Sequence, residues 1–275
     1  MKIVIGFKRY PKRFFLALLL GYTFLWSIAE PLFAILKIDT TNCKGPLLVG
    51  YGLISLTIAI ISIWPKKFVA FKLKNTNTNV EILFGDLFQS EGHKVIPVSQ
   101  YFDSKIGKPV SPRSVHGLYI QNILGGHANI LDDAVNQQLV GKEIEISKRS
   151  EGQNKKYPIG TTITISHNSN YYFLFALCES DYDCKVSCDP SLMLKALDGL
   201  WNKVRIEGNG FDINLPLIGS GLSGIGLPPS QLLQLILISL LKFTKEKELA
   251  CCVKIVLLQN TFESIDLDLI KHNWQ

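Results

Sequence analysis

The residues best suited to chemistry cluster between positions 219 and 229, which read Gly-Ser-Gly-Leu-Ser-Gly-Ile-Gly-Leu-Pro-Pro. Glycines lack a Cβ, so consecutive backbone N–H groups in such a loop can converge on one anion. The predicted helix that follows begins at a proline and points its positive dipole end at the same loop. The pattern predicts a diphosphate site formed by Gly219, Ser220, Gly221, Leu222, Ser223, Gly224 and Ile225.

Two alternatives remain for this loop. Gly219, Gly221 and Gly224 also match the G-x-G-x-x-G pattern of Rossmann-type dinucleotide-binding proteins. Against that interpretation, the loop lies late in the chain, and the next predicted strand ends at Gln259-Asn260 without an acidic residue for a ribose hydroxyl. The other alternative is a tight turn that needs its glycines only for backbone geometry.

The elements around the loop alternate between strands and helices. Short apolar runs predict strands at 80–84, 93–97, 161–165, 171–177, 213–218 and 253–258. Helical periodicity predicts helices at 131–140, 190–204 and 228–243. This alternation predicts a layered α/β fold.

Charge is distributed unevenly along the chain. Residues 1–75 carry eleven Lys/Arg against two acidic residues, a net charge of +9, whereas residues 76–275 carry eighteen against twenty-one, a net charge of −3. A slightly acidic domain would be repelled by a phosphate backbone, so the composition argues against a nucleic-acid partner. Cys178, Cys184 and Cys188 match no zinc spacing, and no metal or cofactor is predicted.

Two apolar segments predict a membrane anchor. Residues 14–36 hold one charge and residues 46–64 hold none, and each is long enough to span about 30 Å of hydrocarbon as a helix. The short linker at 37–45 requires a hairpin, and the basic residues flanking its open end place both chain ends in the cytoplasm. We therefore expect an anchor at 1–74 and a cytoplasmic domain at 75–275. A signal peptide cleaved near Ser27-Ile28-Ala29 is the alternative for the first segment.

The first apolar segment carries a polar stripe. Thr23, Ser27 and Glu30 fall at i, i+4 and i+7 and so share one helical face. An ionisable group at membrane depth is costly unless it is paired or wetted, which suggests contact with neighbouring subunits or an aqueous path. Alternatively, Glu30 simply reaches the outer membrane interface.

With these residues in view, the domain from about Val80 to His272 resembles a macro domain. The loop at 219–225 is similar to the family's diphosphate loop, and residues 80–87 are similar to its opening strand with a G-D-aliphatic signature. Ser114-Val115-His116-Gly117 resembles its first glycine-rich loop. The family's N-A-A-N stretch is absent, and residues 98–103 occupy that region. The resemblance implies a mixed sheet flanked by helices.

Together with two apolar N-terminal helices, these elements resemble the membrane-anchored macro-domain effectors of type II Thoeris anti-phage systems. The resemblance implies a multi-pass protein of the bacterial inner membrane that senses a ligand and is not an enzyme. Its ligand would be an ADP-ribose derivative, such as a base- or amino-acid-conjugated ADP-ribose, made by a TIR-domain NAD-consuming partner. Binding would drive homo-oligomerisation and membrane disruption.

The same resemblance assigns roles to residues. Asp86 would accept a hydrogen bond from the adenine amino group, and the loop at 219–225 would hold the diphosphate. Residues around the distal ribose would be Ser99, Gln100, Phe102, Asp103, His116 and Gly117, although His116 could instead only brace its loop. The alternative functions are a membrane-tethered ADP-ribosyl hydrolase using Asp103 or His116, and a module that only tethers a partner to the membrane.

Overall fold

A computed structural model describes residues 2–37, 44–142, 144–221, 224–245 and 249–275. The chain divides into two compact units, Met1–Lys66 and Lys67–Gln275. The helices of the first unit are α1 (Lys2–Arg9), α2 (Pro11–Ile35) and α3 (Lys44–Ser62). By length and composition alone, α2 and α3 could each cross a membrane, and few of their residues are buried.

The two long helices pack side by side through small and aromatic residues. Gly21 of α2 faces Ser55 of α3, since a Cβ added to Gly21 would lie 3.5 Å from Ser55, in ordinary van der Waals contact. Tyr22 and Trp26 place their rings 6.4 and 6.3 Å from that of Tyr51. These contacts define the face of α2 that is turned toward α3.

The predicted polar stripe lies elsewhere on α2. Thr23, Ser27 and Glu30 are all exposed. The hydroxyl of Thr23 donates to the carbonyl oxygen of Leu19 at 3.0 Å, and that of Ser27 donates to the carbonyl oxygen of Phe24 at 2.9 Å. Hydrogen bonds to their own helix satisfy these two hydroxyls. The third group of the stripe, the side chain of Glu30, is exposed at the surface of the hairpin.

The second unit is built on a mixed sheet. Its strands are β1 (Phe68–Lys72), β2 (Asn79–Phe84), β3 (His93–Ser99), β4 (Glu145–Ile146), β5 (Lys155–Lys156), β6 (Thr162–His167), β7 (Asn170–Ser180), β8 (Val186–Ser187), β9 (Ile213–Pro216) and β10 (Cys252–Leu257). The order across the sheet is β1-β2-β10-β9-β3-β7-β6, with β8 paired to β7 and a separate β4-β5 hairpin. The five strands from β2 to β7 in this order run parallel, and β1 and β6 flank them antiparallel.

Helices cover both faces of this sheet. They are α4 (Val115–Leu118), α5 (Ala128–Gln138), α6 (Pro190–Glu207), α7 (Pro229–Thr244) and α8 (Leu267–Trp274). Neighbouring strand residues enter different cores: Val95 and Phe173 pack with α6 and α7, whereas Ile96 and Leu174 pack with α4 and α5. Strands buried on both faces need continuous apolar runs, which is the pattern that this sequence shows.

The layered α/β fold with a mixed sheet is confirmed. The predicted strands and helices are present, and Asp189 caps α6 by accepting a hydrogen bond from the N–H of Leu192 at 2.8 Å. The sheet begins before the expected boundary at residue 75, because Phe68–Lys72 pairs antiparallel with β2. Buried and exposed residues alternate along this strand. Because the strand follows the apolar segment directly, the sequence pattern assigned it to the anchor.

Candidate functional site

The candidate site lies where the parallel strands end. Asp86 follows β2, Ser99 ends β3 and the glycine-rich loop follows β9. The N–H of Gly85 donates to the carbonyl oxygen of Leu257 at the end of β10, at 3.0 Å, which ties two strand ends together. The carboxyl edge of a parallel sheet is the usual ligand site of α/β proteins. The fold therefore brings the predicted diphosphate loop and Asp86 to the same edge.

Gly219 starts the loop in a conformation that requires glycine. Its φ is +84°, in the left-handed region, and an added Cβ would collide with the side chain of Ile225. Ile225 is buried in the core beside Leu232 of α7. Burial of the Ile225 side chain therefore fixes the end of the loop against the core. Leu222 and Ser223, also predicted to bind the diphosphate, lie outside the described residues.

Gly221 has a different environment. It is exposed, its φ lies outside the left-handed region, and an added Cβ would meet no atom of the described residues within 4 Å. Nearby, the hydroxyl of Ser220 donates to the carbonyl oxygen of Leu217 at 2.7 Å, and the N–H of Gly224 donates to the carbonyl oxygen of Gly221 at 3.3 Å. The space over Gly221 is open in a loop whose flanks are fixed.

Helix α7 points its N-terminus toward the chain that leaves this loop. Its N-cap residue is Pro228, which makes no side-chain cap hydrogen bond, and Pro229 occupies the first turn. An uncapped helix start carries partial positive charge and favours an anion. Binding of a diphosphate by this loop stays a prediction, and the uncapped start of α7 lies next to it in the chain.

Asp86 is exposed and is held by the local backbone. One of its carboxylate oxygens accepts a hydrogen bond from the N–H of Phe88 at 2.9 Å, which caps the 3-10 helix Leu87–Gln89. This helix packs near β9, the strand that leads into the glycine-rich loop. The cap fixes the direction of the carboxylate at the sheet edge.

Asp103 is fully buried and already occupied by protein donors. Its carboxylate forms an ion pair with Arg149, whose Nη1 lies 2.8 and 2.9 Å from the two oxygens. The N–H of Gln153 at 2.8 Å and the hydroxyl of Ser99 at 3.2 Å also donate to it. Arg149 in turn donates to the hydroxyl of Ser180 at 3.1 Å. In this structure Asp103 holds segments of the protein together rather than facing open space.

Phe102 has an unusual backbone for a bulky residue. Its φ is +51°, a left-handed conformation that costs about 1–3 kcal/mol and persists only where surrounding contacts impose it. The guanidinium of Arg149 lies 3.9 Å from the ring centre of Tyr101, and the ring of Phe102 packs edge-on against Tyr157 at 5.7 Å. The N–H of Tyr157 donates to the carbonyl oxygen of Gln100 at 2.9 Å.

The segment 149–157 therefore holds the loop at 99–103, and sequence reasoning missed it. Arg149 and Gln153 are distant from Asp103 along the chain, in a polar stretch without a recognisable motif. Beside this contact is a small pocket lined by Tyr101, Phe102, Asp132, Val135, Asn136, Gln153, Lys155 and Tyr157. Of the predicted distal-ribose residues, Phe102 lines this pocket, whereas Ser99, Gln100 and Asp103 are buried and do not line it.

His116 lies in α4, which packs against β3. The hydroxyl of Ser114 caps α4 by accepting from the N–H of Gly117 at 2.9 Å, and a side chain at Gly117 would collide with the carbonyl oxygen of Ser111. His116 is buried, its Nε2 has no hydrogen-bond partner among the described residues, and burial lowers its pKa to about 3. A ligand contact by His116 or Gly117 stays a prediction, and in this structure both brace the loop.

This burial predicts acid sensitivity. The folded pKa of about 3 lies below the ordinary value of 6.5, so between these values the unfolded chain binds the extra proton. Stability is then fully present above pH 6.5 and is lost as the pH falls toward 3, by about 2 kcal/mol at pH 5. His116→Phe should flatten this dependence, measured as melting temperature between pH 5 and 7.

Buried His93, whose pKa is also lowered by burial and by Lys94, should leave a residual slope in the same direction. The exposed His127 provides the control, since His127→Gln removes a histidine without opening the core. An unchanged slope in His116→Phe would contradict the prediction.

Two of the described cysteines donate to backbone carbonyl groups. Cys178 donates weakly to the carbonyl oxygen of Val98 at 3.8 Å, and Cys188 to that of Leu177 at 3.4 Å. Burial raises the pKa of both thiols to about 12, so they stay protonated at neutral pH. Among the described residues, no group of three or more His, Cys, Asp or Glu side chains could hold a metal ion.

Comparison with known proteins finds similarity in sequence and in fold. The family model described as "Thoeris protein ThsA, Macro domain" matches residues 80–258. The Thoeris protein ThsA of Bacillus amyloliquefaciens (strain Y2) is 24% identical over 241 residues, covering 82% of this chain and 77% of the relative. The match includes the strands that end at the candidate site and the glycine-rich loop.

Solved macrodomain structures share the fold. A glycine-to-valine variant of the Oceanobacillus iheyensis macrodomain with ADPR is 16% identical with a TM-score of 0.53, covering 75% of this chain and 98% of that one. The same macrodomain with ADP gives a TM-score of 0.52 at 16% identity, covering 76% and 98%. At this identity the likeness shows the fold alone, and it decides against the Rossmann-type alternative.

Proposed function

Because the chain belongs to the ThsA macro-domain family of Thoeris proteins, we propose that it is a membrane effector of anti-phage defence that binds an ADP-ribose-derived nucleotide. A TIR-domain, NAD-consuming partner makes this signal, and the liganded effector assembles and disrupts the bacterial inner membrane. The observation that carries the proposal is the open backbone at Gly221, flanked by a pinned loop and an uncapped helix start.

Each part of the ligand has a matching feature at the sheet edge. The loop at 219–225 and the start of α7 take the diphosphate, because both offer N–H groups or positive dipole to an anion. Asp86 takes the adenine amino group through its fixed carboxylate. The distal ribose and its substituent extend toward Phe102 and the pocket beside it.

The geometry favours sensing over hydrolysis. A general base must reach the proton that it abstracts, and its pKa should lie near the working pH. Asp103 already accepts four hydrogen bonds within the protein, and His116 is buried with a pKa of about 3. Neither residue that the hydrolase alternative would use is arranged for acid–base catalysis, which supports a ligand-gated effector.

The first unit supplies the membrane part of the proposal. Helices α2 and α3 span the bilayer as a hairpin with both chain ends in the cytoplasm. Thr23, Ser27 and Glu30 are exposed on α2, and we place a neighbouring copy against them. Ligand drives assembly only to the extent that it binds the assembled state more tightly.

Two measurements on the full-length protein in lipid test this function. Calorimetry with ADP-ribose and with base- or amino-acid-conjugated ADP-ribose should give binding heat, and dye-loaded vesicles containing the protein should leak only when ligand is present. Absence of heat with every ADP-ribose derivative would overturn ligand sensing. Binding without leakage would instead support the module that only tethers a partner.

The role of Asp86 predicts base selectivity. A carboxylate accepts from the adenine amino group but is repelled by the oxygen at that position in hypoxanthine, so ADP-ribose should bind about tenfold or more tightly than its inosine analogue. Asp86→Asn keeps the cap on Phe88 but can donate as well as accept, so this ratio should fall toward one. Asp189→Asn, at the N-cap of α6, is the matched control and should keep the ratio.

A further inference from the structure

The first helix of the chain is short, amphipathic and separate from the long span that follows. Ile3, Val4 and Phe7 lie on one side of α1 and are 45%, 56% and 39% exposed. Lys2 and Lys8 lie outside this apolar arc when the helix is viewed along its axis. An apolar stripe that stays exposed beside basic residues is the pattern of helices that lie in a membrane interface.

The break between α1 and α2 has a local cause. Pro11 occupies the first turn of α2, and the preceding Tyr10 has φ −130° and ψ 52°, outside the helical region. A proline disfavours helical geometry in the residue before it. The chain can therefore change direction here, so α1 need not continue the axis of α2.

Contacts within the first unit place α1 at the level where α3 ends. A Cβ on Gly6 would collide with the carbonyl oxygen of Ile63, so α1 packs directly on the last residues of this span. Lys2 lies 5.7 Å from the ring centre of Trp64. Phe7 packs edge-on against Phe14 at 5.2 Å and Phe15 at 6.0 Å, at the start of α2.

The charge of this end is of one sign. No acidic residue occurs before Glu30, whereas Lys2, Lys8, Arg9, Lys12 and Arg13 are basic. Anionic headgroups attract such segments, and each basic residue near the surface contributes about a fivefold factor in binding. The exposed apolar side chains of α1, its position at the end of α3 and its basic charge all fit an anionic lipid surface.

We propose that α1 is an interfacial helix that docks on anionic lipid headgroups of the membrane leaflet where α2 begins and α3 ends. Ile3, Val4 and Phe7 enter the boundary between headgroups and acyl chains, and the lysines contact the phosphates. This inference rests on the proposed membrane anchoring, and it adds a lipid requirement that anchoring alone does not have.

Hydrogen–deuterium exchange of the full-length protein in nanodiscs tests it. The packing of α1 on Ile63, Phe14 and Phe15 gives the same protection in every lipid. A helix of eight residues is marginal without further contacts, so the amides of residues 2–9 should be protected at least fivefold more when phosphatidylglycerol is present than in phosphatidylcholine alone. Each of the substitutions Lys8→Gln and Lys12→Gln should lower binding to anionic lipid by about fivefold. The double variant should therefore show the same protection in both lipids. Lys195→Gln, an exposed site on α6, is the matched charge control and should retain it.

The outcomes separate this inference from the anchoring. Equal exchange of residues 2–9 in both lipids, with the protein still retained in the membrane after an alkaline carbonate wash, would overturn the lipid docking and leave anchoring intact. Release of the protein by that wash would overturn the anchoring itself. Equal protection in both lipids that survives Ile3→Gln with Val4→Gln would assign α1 to a protein contact alone and contradict the proposal.

Discussion

Gly221→Val is expected to weaken binding of ADP-ribose derivatives by about 100-fold or more while leaving the melting temperature of the protein unchanged. We expect the fold to tolerate the new side chain, because a Cβ at this exposed position meets no atom within 4 Å in the part of the chain that the structure describes, and φ is not left-handed. The ligand does not tolerate it, because valine would occupy the space above the backbone amides. Losing even two charge-assisted hydrogen bonds to the diphosphate accounts for a change of this size.

Gly219→Ala provides the contrast within the same loop. Its Cβ would collide with Ile225, and its φ of +84° strains any other residue, so this variant should lose stability by about 1–3 kcal/mol. Calorimetry and thermal unfolding of both variants separate the two roles. Wild-type affinity in Gly221→Val would show that the diphosphate does not bind at this loop. The proposed function would then lose its main support.

Breaking the ion pair between Asp103 and Arg149 is expected to destabilise the second unit by about 3–5 kcal/mol. Their side chains are 0% and 1% exposed, so removing one leaves the other as an uncompensated buried charge. Arg149→Met should therefore lower the melting temperature strongly. It should also weaken ligand affinity, because Arg149 stacks on Tyr101 beside Phe102. Thermal unfolding and calorimetric affinity measure the two effects.

A double-mutant cycle distinguishes a paired charge from lost packing. Arg149→Met combined with Asp103→Leu should cost less than the sum of the single changes, because neither charge is then left alone. Lys242→Met is the surface control: its partner Asp198 lies 2.7 Å away but both are substantially exposed, so it should cost under about 1 kcal/mol. Strict additivity of the two buried changes would contradict the proposed coupling between the charges of Asp103 and Arg149.

The polar stripe on α2 illustrates what sequence spacing predicts and what it does not. The spacing of Thr23, Ser27 and Glu30 requires that they share a face, because an α-helix turns by a constant angle per residue. Spacing alone does not say whether that face meets α3, lipid or another copy. Contacts with Ser55 and Tyr51 show that Gly21 and Tyr22 meet α3, and these contacts depend on how two helices fit together.

What the sequence determined by itself was local. The glycine-rich loop, the N-cap Asp189 before Pro190 and the two long apolar runs each act through neighbours a few residues away, so their patterns are readable along the chain. Strands buried on both faces were recognisable for the same reason, since continuous apolar runs suffice.

Only the tertiary structure decided which distant residues meet. It added Phe68–Lys72 to the sheet, turned Asp103 toward Arg149 and imposed a left-handed backbone on Phe102. A buried carboxylate must find a cation wherever the fold brings one within reach, and no local spacing specifies that partner. The diphosphate loop could therefore be predicted from its own residues, whereas the support of the distal pocket required the folded chain.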